Sequence, residues 1–254
     1  MMKDLLATVK SNKKIAENIY MITLTLPEGV SAIHGGQFVN LSTGNGANLL
    51  RRPLGVCIAE DNDVSVCYQV KGGGTQYLTT VEPGRKLQVL LPLGNWFDLD
   101  DYKNIVVVGG GVGVFPLIAT IREYYKKKNF YSYIGFRNKD AVCLLDELEK
   151  SKTLKVVTDD GSFGERGNAV SAYLSDAANV NADVIISCGP PIMLKILKEK
   201  LTEAGITTPC FVSLEERMGC GMGACLVCVC KTTYGENARV CRDGPVFDIN
   251  EVQL

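Results

Sequence analysis

With 254 residues, 46% of them hydrophobic, the chain has material for one large core or for two to three smaller ones. A net charge of −1 argues against a nucleic-acid or anionic-membrane partner, and a single histidine, His34, argues against histidine-ligated metals and histidine-based triads. The longest apolar stretch, Ile105 to Ile118, is short and cut by glycines, and the N-terminus has no secretory pattern, so a soluble cytoplasmic protein is expected.

Residues 1–101 read as strands. Ile19 to Leu26 is apolar and threonine-rich, and Phe38 to Leu41 follows a Gly-Gly turn beside His34, which is expected to be structural or solvent-facing. Asp63 to Val70 alternates, with Val64, Val66, Tyr68 and Val70 on one face, and a short helix is expected over Gln76 to Val81. Gly84 to Leu93 is a further strand, bounded by Pro92 and Gly94. Short strands punctuated by glycine and proline predict a small antiparallel barrel.

The pattern changes near Tyr102. Ile105 to Val108 is a continuous apolar run, as buried parallel strands are, followed by a glycine loop and a helical stretch to Lys128. Tyr131 to Phe136, Leu154 to Thr158 and Asp183 to Ser187 read as strands, with helices over Leu144 to Ser151 and Ala169 to Asp176 between them. Pro190 and Pro191 open a last helix, carrying Leu194, Leu197 and Leu201 at helical spacing. Strands alternating with helices predict a parallel sheet over 102–209. From Cys210 the chain is cysteine-rich, which sets 210–254 apart as a third module.

Three glycine-bearing loops fall at expected strand ends. Val108-Gly-Gly-Gly-Val-Gly113 turns from strand to helix and can bring N–H groups, above all those of Gly110, Gly111 and Gly113, to a pyrophosphate. It is not the strict dinucleotide fingerprint, since Pro116 stands at the third position, and tight strand–helix packing would explain it as well. Cys188-Gly189-Pro190 ends a later strand, where a nicotinamide could rest, and Arg137 after Gly135-Phe136 either pairs with a phosphate or is simply solvated. In the barrel, Arg51-Arg52-Pro53-Leu54 couples an arginine to a rigid proline, a pairing suited to pyrophosphate, although an exposed basic pair would read alike. The strand end Gln69-Val70 leads into Lys71-Gly-Gly-Gly74-Thr75, with Thr75 as the expected helix cap. Two anion-binding devices in one barrel suggest a dinucleotide flavin.

The C-terminal module holds Cys220, Cys225 and Cys228 in the spacing C-x4-C-x2-C, then Cys241 after twelve residues, which is the plant-type [2Fe–2S] pattern. Gly219, Gly221, Gly223 and Ala224 suit a loop that must wrap closely around inorganic sulfur. A disulfide framework fits poorly with a cytosolic chain. Structural zinc fits poorly too, because three ligands crowd one loop instead of forming two close dyads. Cys57, Cys67, Cys143 and Cys210 lie in or beside apolar runs and read as buried filler, and Cys230 reads as a non-ligand.

These motifs in this order resemble the ferredoxin–NADP reductase superfamily. The segment from Leu214-Glu-Glu-Arg-Met-Gly-Cys220 to Cys241-Arg-Asp-Gly-Pro-Val-Phe247 more specifically resembles the electron-transfer subunits of class 1B dihydroorotate dehydrogenase, and the resemblance spans nearly the whole chain. It implies a multi-domain β plus α/β protein: an antiparallel flavin-binding β-barrel, a parallel-sheet nucleotide-binding α/β domain and a small C-terminal [2Fe–2S] domain. FAD would be held by Arg52, Pro53, Leu54, Gly74 and Thr75, with Gly55, Gln69, Val70 and Lys71 completing the cofactor-binding set, and NAD would rest on the α/β domain. Cys220, Cys225, Cys228 and Cys241 would ligate the cluster. The partner would be a separate FMN-containing subunit that oxidises dihydroorotate to orotate, in a two-plus-two heterotetramer. The family commonly has Ser where this chain has Gly55, so a side-chain hydrogen bond to the flavin from that position is not available.

A hydride carries two electrons and a cluster accepts one, so the implied route runs from the partner's FMN to the cluster, to FAD, and out as hydride to NAD+. The chain then needs no acid or base for carbon chemistry. Two rivals remain at this level: a subunit passing electrons between NAD(P)H and ferredoxin, hydrogenase or a sulfide-linked complex, and a zinc-binding sensor on a nucleotide domain.

Overall fold

The computed structural model describes residues 2–27 and 33–254. The first half is built from β1 (Lys3–Ala16), β2 (Ile19–Thr25), β3 (Phe38–Leu41), β4 (Arg52–Glu60), β5 (Asp63–Gln69), the short helix α1 (Gly73–Leu78) and β6 (Lys86–Leu93). These strands close into a barrel in the order β1-β2-β5-β4-β3-β6, every neighbouring pair antiparallel. Alternation fills the interior: Ile22 and Leu24, Val39 and Leu41, Val64 and Val66, Leu87, Val89 and Leu91 all point into one cluster. Each such side chain contributes about 1.5–3 kcal/mol on burial.

Strand β1, at 14 residues the longest among the described residues, has no clear signature in the sequence. Only Ala7 and Val9 in it are buried, so the alternation that marks a half-buried strand is nearly absent. The expected helix over Gln76 to Val81 starts three residues earlier, at Gly73, with Gly72 as its cap.

The second half runs β7 (Asn104–Gly110), α2 (Val114–Tyr124), β8 (Asn129–Phe136), α3 (Leu145–Leu148), β9 (Thr153–Thr158), β10 (Glu165–Arg166), α4 (Ala169–Leu174), β11 (Val184–Cys188), α5 (Pro191–Glu203) and β12 (Cys210–Ser213). The cysteine-rich segment adds the small hairpin β13 (Val229–Lys231) and β14 (Asn237–Arg239), then β15 (Val246–Asp248). The main sheet has the order β10-β9-β8-β7-β11-β12-β15, parallel except for β15, which pairs antiparallel with β12. Chain order reverses direction at β7, with β8 on one side and β11 on the other. That switch point opens a crevice at the carboxyl ends of both strands. Proline opens α5 as its sequence suggests: Pro190 is the cap, Pro191 the first helical residue, and Leu194, Leu197 and Leu201 are buried. Helix α3 is a single turn, shorter than the expected Leu144 to Ser151: Leu144 is its cap, in a left-handed conformation with φ of 53°, and the chain leaves the helix at Glu149.

The change of composition at Cys210 does not interrupt the sheet. Strand β12 extends it from one side of the cysteine loop and β15 from the other, so the loop hangs between two sheet strands. The barrel packs on one face of the sheet through α2, where Cys57 and Phe97 meet Val107, Phe115 and Ile118. The opposite face holds α4 and α5, and its core continues into Cys228, Val240 and Cys241.

Candidate functional site

A cavity of about 280 Å³ lies between barrel and sheet. Strand β4 supplies Arg52, Pro53, Leu54 and Gly55, the end of β5 with the following loop supplies Gln69 and Lys71, and α1 supplies Thr75. The Arg52 guanidinium is held in place from below: it donates to the Leu50 carbonyl and, at 3.3 Å, to Asn48 Oδ1. Gly74 makes room for it, since a Cβ there would sit 1.9 Å from Arg52 Nη2. Thr75 is the third residue of α1, not its cap. Its Oγ1 accepts from the N–H of Lys71 at 3.0 Å and of Gly72 at 3.2 Å, which stiffens the glycine turn. Val70 does not line the cavity; its N–H is bonded to the Asn18 carbonyl at 2.9 Å and its side chain packs on the barrel core.

Gly55 has a local reason. A Cβ at that position would come 2.9 Å from Pro116 Cγ, and Pro116 stands at the start of α2 against the same cavity. The proline that departs from the strict glycine fingerprint and the glycine that departs from serine therefore occupy each other's space.

A second cavity of about 360 Å³ adjoins the first. It is lined by Gly110, which ends β7, and Gly111 after it, by Phe136, which ends β8, and the exposed Arg137 after it, and by Gly189 and Pro190 after β11, all at carboxyl strand ends. Gln69, Lys71, Val112 and Glu215 line both cavities, so the two form one bent cleft. Gly113 stands behind the cleft: a Cβ on it would lie 2.5 Å from the Cys188 carbonyl carbon, so it allows the two glycine loops to touch. Cys188 is 1% exposed and faces the first cavity; burial, with the nearby Glu215 charge, pushes its thiol up to about 12.

Glu215 was not singled out in the sequence. Burial raises its carboxyl above the ordinary range against the opposing pull of Lys71. Its only sequence signal is its place two residues after the apolar strand β12, the kind of strand-end position where α/β sheets bind ligands. Cys67 is buried, as expected of filler; it also lines the first cavity, and its thiol meets that of Cys57, which together with burial raises it strongly. Cys57, Cys143 and Cys210 are buried among apolar neighbours. His34 lies away from the cleft, stacked on Trp96 at 4.8 Å with Nδ1 2.6 Å from Glu123 Oε1.

The four spaced cysteines lie as two pairs. The thiols of Cys220 and Cys225 are in contact near the surface, and those of Cys228 and Cys241, each 2% exposed, are in contact beneath them. Among the described residues no three Cys, His, Asp or Glu side chains gather as they would round one metal ion. Two pairs suit a two-iron cluster, which takes two thiolates on each iron. Donors already face the sulfurs. Cys220 Sγ accepts from the N–H groups of Met222 at 3.4 Å, Ala224 at 3.3 Å and Cys225 at 3.4 Å. Burial alone would raise the Cys220 thiol, but these donors bring it down to about 6. Burial and its Cys228 neighbour push Cys241 up to about 12. Cys230 sits on β13 opposite Ala238, outside both pairs.

The Asp-Gly-Pro-Val-Phe stretch after Cys241 ties this loop to the rest. Asn95 at the barrel end accepts from Val246 N–H at 2.9 Å and donates to its carbonyl at 2.8 Å, while Leu214 N–H donates to the Pro245 carbonyl at 2.9 Å. Gly244 must be glycine, since a Cβ there would meet the Phe247 ring at 2.2 Å.

Residues 215–253 match the family model of the iron–sulfur cluster binding domain of dihydroorotate dehydrogenase B. The chain is 36% identical over 256 residues to the protein of Streptococcus mutans named dihydroorotate dehydrogenase B (NAD(+)), electron transfer subunit, covering 97% of each. It is 39% identical over 265 residues to the protein of the same name from a Geobacillus species, covering all of both. Among solved structures, the NADH-dependent reduced ferredoxin–NADP oxidoreductase studied for flavin-based electron bifurcation matches with a TM-score of 0.86 at 29% identity, over 98% of this chain and 90% of that one. Phthalate dioxygenase reductase shares the fold, with a TM-score of 0.67 at 19% identity over 91% of this chain and 87% of that one.

Proposed function

The chain belongs to the family of electron transfer subunits of dihydroorotate dehydrogenase B (NAD(+)), and from that premise we propose how its parts divide the work. It carries electrons from an FMN-containing dihydroorotate dehydrogenase subunit to NAD+, by way of a [2Fe–2S] cluster and FAD, in the synthesis of UMP. When bound, the flavin supplies the exchange between one-electron and two-electron transfer, the cluster supplies one-electron transfer, and NAD+ takes the hydride.

The chain's own residues bind, orient and insulate these groups. Arg52, already locked by Leu50 and Asn48, offers its guanidinium to the flavin pyrophosphate, beside the stiffened Gly74-Thr75 turn. Pro53, Leu54, Gly55, Gln69, Lys71 and Thr75 make the wall against which the flavin rests, with Val70 and Gly74 shaping that wall from behind. Gly110, Gly111, Gly189 and Pro190 make the bed of the nicotinamide nucleotide, with Gly113 and Cys188 setting its depth. Glu215 and Lys71 stand where the two cofactors would meet, and they fix the charge there. Cys220, Cys225, Cys228 and Cys241 hold the cluster, and the N–H groups around Cys220 stabilise its reduced form. The modules are the barrel over 1–101, the nucleotide domain over 102–209 and the cluster segment over 210–254, working in an α2β2 assembly.

Among the described residues no helix is long and apolar enough to cross a membrane. We place the chain in the cytoplasm, where its ten cysteines stay reduced and the four of the loop stay available to iron.

The observation that carries this reading is the pairing of a four-cysteine loop with a two-chambered cleft in a chain similar to its relatives from end to end. The likeness to the NADH-dependent ferredoxin–NADP oxidoreductase favours, as a second reading, exchange between NAD(P)H and ferredoxin. Anaerobic purification from native cells, with mass spectrometry of what accompanies the chain in equal amount, separates them. The first reading predicts an FMN-containing dihydroorotate dehydrogenase; a ferredoxin-linked partner in its place would overturn it.

A further inference from the structure

Asn40 lies in the middle of β3, opposite Pro53 of β4, and is 1% exposed. A buried amide on a barrel strand is costly unless all its groups are bonded. Its Nδ2 donates to the Cys220 carbonyl at 3.3 Å, while its Oδ1 is the one buried side-chain acceptor left without a partner among the described residues. A side chain chosen for stability alone would be apolar here, as Phe38, two residues away on the same face, is. The loop also closes in on Asn40: Gly221 has φ of +75°, and a Cβ there would lie 2.8 Å from Asn40 Nδ2. The contact joins a strand of the flavin barrel directly to the first of the four cysteines.

The Cys220–Gly221 peptide is trans, so its N–H points opposite to its carbonyl. A bond that holds the carbonyl against the barrel wall therefore turns the Gly221 N–H away from that wall. This N–H donates to no group among the described residues, whereas the next donors along the loop, from Met222, Ala224 and Cys225, all meet Cys220 Sγ. We propose that Asn40 is a positioning residue for the cluster: by holding the Cys220 carbonyl it aims the Gly221 N–H at the cluster sulfurs and raises the cluster's reduction potential. A donor facing sulfur stabilises the added negative charge of the reduced form, so removing it favours the oxidised form. The inference rests on the reading of the four thiols as a [2Fe–2S] site.

The test uses the holoprotein with its partner subunit, poised at a series of potentials and read by the electron paramagnetic resonance of the reduced cluster. Two variants serve: Asn40→Asp, nearly isosteric but without the donor, and Asn40→Leu, which removes donor and orphaned acceptor together. At a fixed potential both should hold about tenfold less reduced cluster relative to oxidised, equivalent to about 59 mV for a one-electron couple. The flavin in the same sample serves as reference and should titrate as in the wild type. Loss of the cluster from both variants with flavin retained would also support the clamp. Unchanged cluster potential and g-values in both would overturn it, as would loss of cluster and flavin together. A wild type that shows no cluster signal would instead refute the underlying [2Fe–2S] reading.

Discussion

The cleft and the cysteine loop are built in opposite ways. The cleft is a gap between two finished sheets, and its walls come from residues as far apart as Gly36 and Pro245. Regular strands and barrel closure hold those walls, and most of the rigidity is there before any cofactor binds. The loop is one short segment whose thiols and sulfur-facing donors come almost entirely from itself. It has little regular structure, and its order depends on anchors such as Asn40, Asn95 and the β12–β15 pairing. A cofactor bound by scattered residues should be lost gradually as single contacts go. A cluster bound, as proposed, by four thiols of one segment should be lost at a stroke.

Breaking the loop should give the largest effect. Cys225→Ser is expected to cut dihydroorotate-to-NAD+ transfer in the assembled complex by more than about 100-fold, since loss of even outer-shell partners of a metal site costs 10–100-fold. NADH-to-dye activity should survive in the same sample, because the cleft is untouched. Equal loss of both activities would erase the distinction between the two regions.

Arg52→Ala strikes the cleft and should be graded. The guanidinium's charge-assisted bonds are worth about 1.5–3 kcal/mol, so flavin should bind about 10- to 100-fold more weakly in fluorescence titrations, with iron content unchanged. Gly113→Ala tests packing behind the cleft. Its Cβ would fall 2.5 Å from the Cys188 backbone, and overpacking of this kind should cost about 1–3 kcal/mol of unfolding free energy. NADH affinity should fall together with stability, because Gly189 follows directly on the displaced backbone.

Glu215→Gln should give the smallest change, visible only against pH. Burial raises the folded carboxyl above its ordinary 4.5, so the folded chain keeps a proton that the unfolded chain releases. Wild-type stability therefore falls as pH rises from about 4.5 through the folded value, a loss the glutamine variant escapes. Thermal melts should show the variant gaining on the wild type as pH rises; a constant difference would remove Glu215 as a titrating group in the cleft.

The same contrast governs what could be read before the fold was known. The proposed cluster ligands stand out because their spacing along the chain is their geometry: Cys220, Cys225 and Cys228 share one loop, and only Cys241 returns from a hairpin. The glycine loops at Gly110 and Gly189 were legible because strand ends in a parallel sheet converge, though Gly113 turned out to serve packing. The places of Glu215 and Cys67 at the cleft and of Asn40 against the cysteine loop were not legible. Each lies in or beside an ordinary-looking strand and acquires its role only when a distant element arrives: Lys71 against Glu215, the α2 face against Cys67, the cysteine loop against Asn40. Strand β1 was missed for a related reason, since a strand that buries little leaves little pattern.

The central claim is that cleft and loop form one electron path. Its most direct test is anaerobic titration of the holoprotein with NADH, following flavin bleaching by absorbance and the reduced cluster by paramagnetic resonance in the same samples. A connected path predicts that the cluster signal grows as the flavin bleaches and is absent from flavin-depleted protein given the same NADH. Full bleaching of the flavin with a cluster that stays oxidised, yet is reduced by dithionite at the same potential, would contradict it.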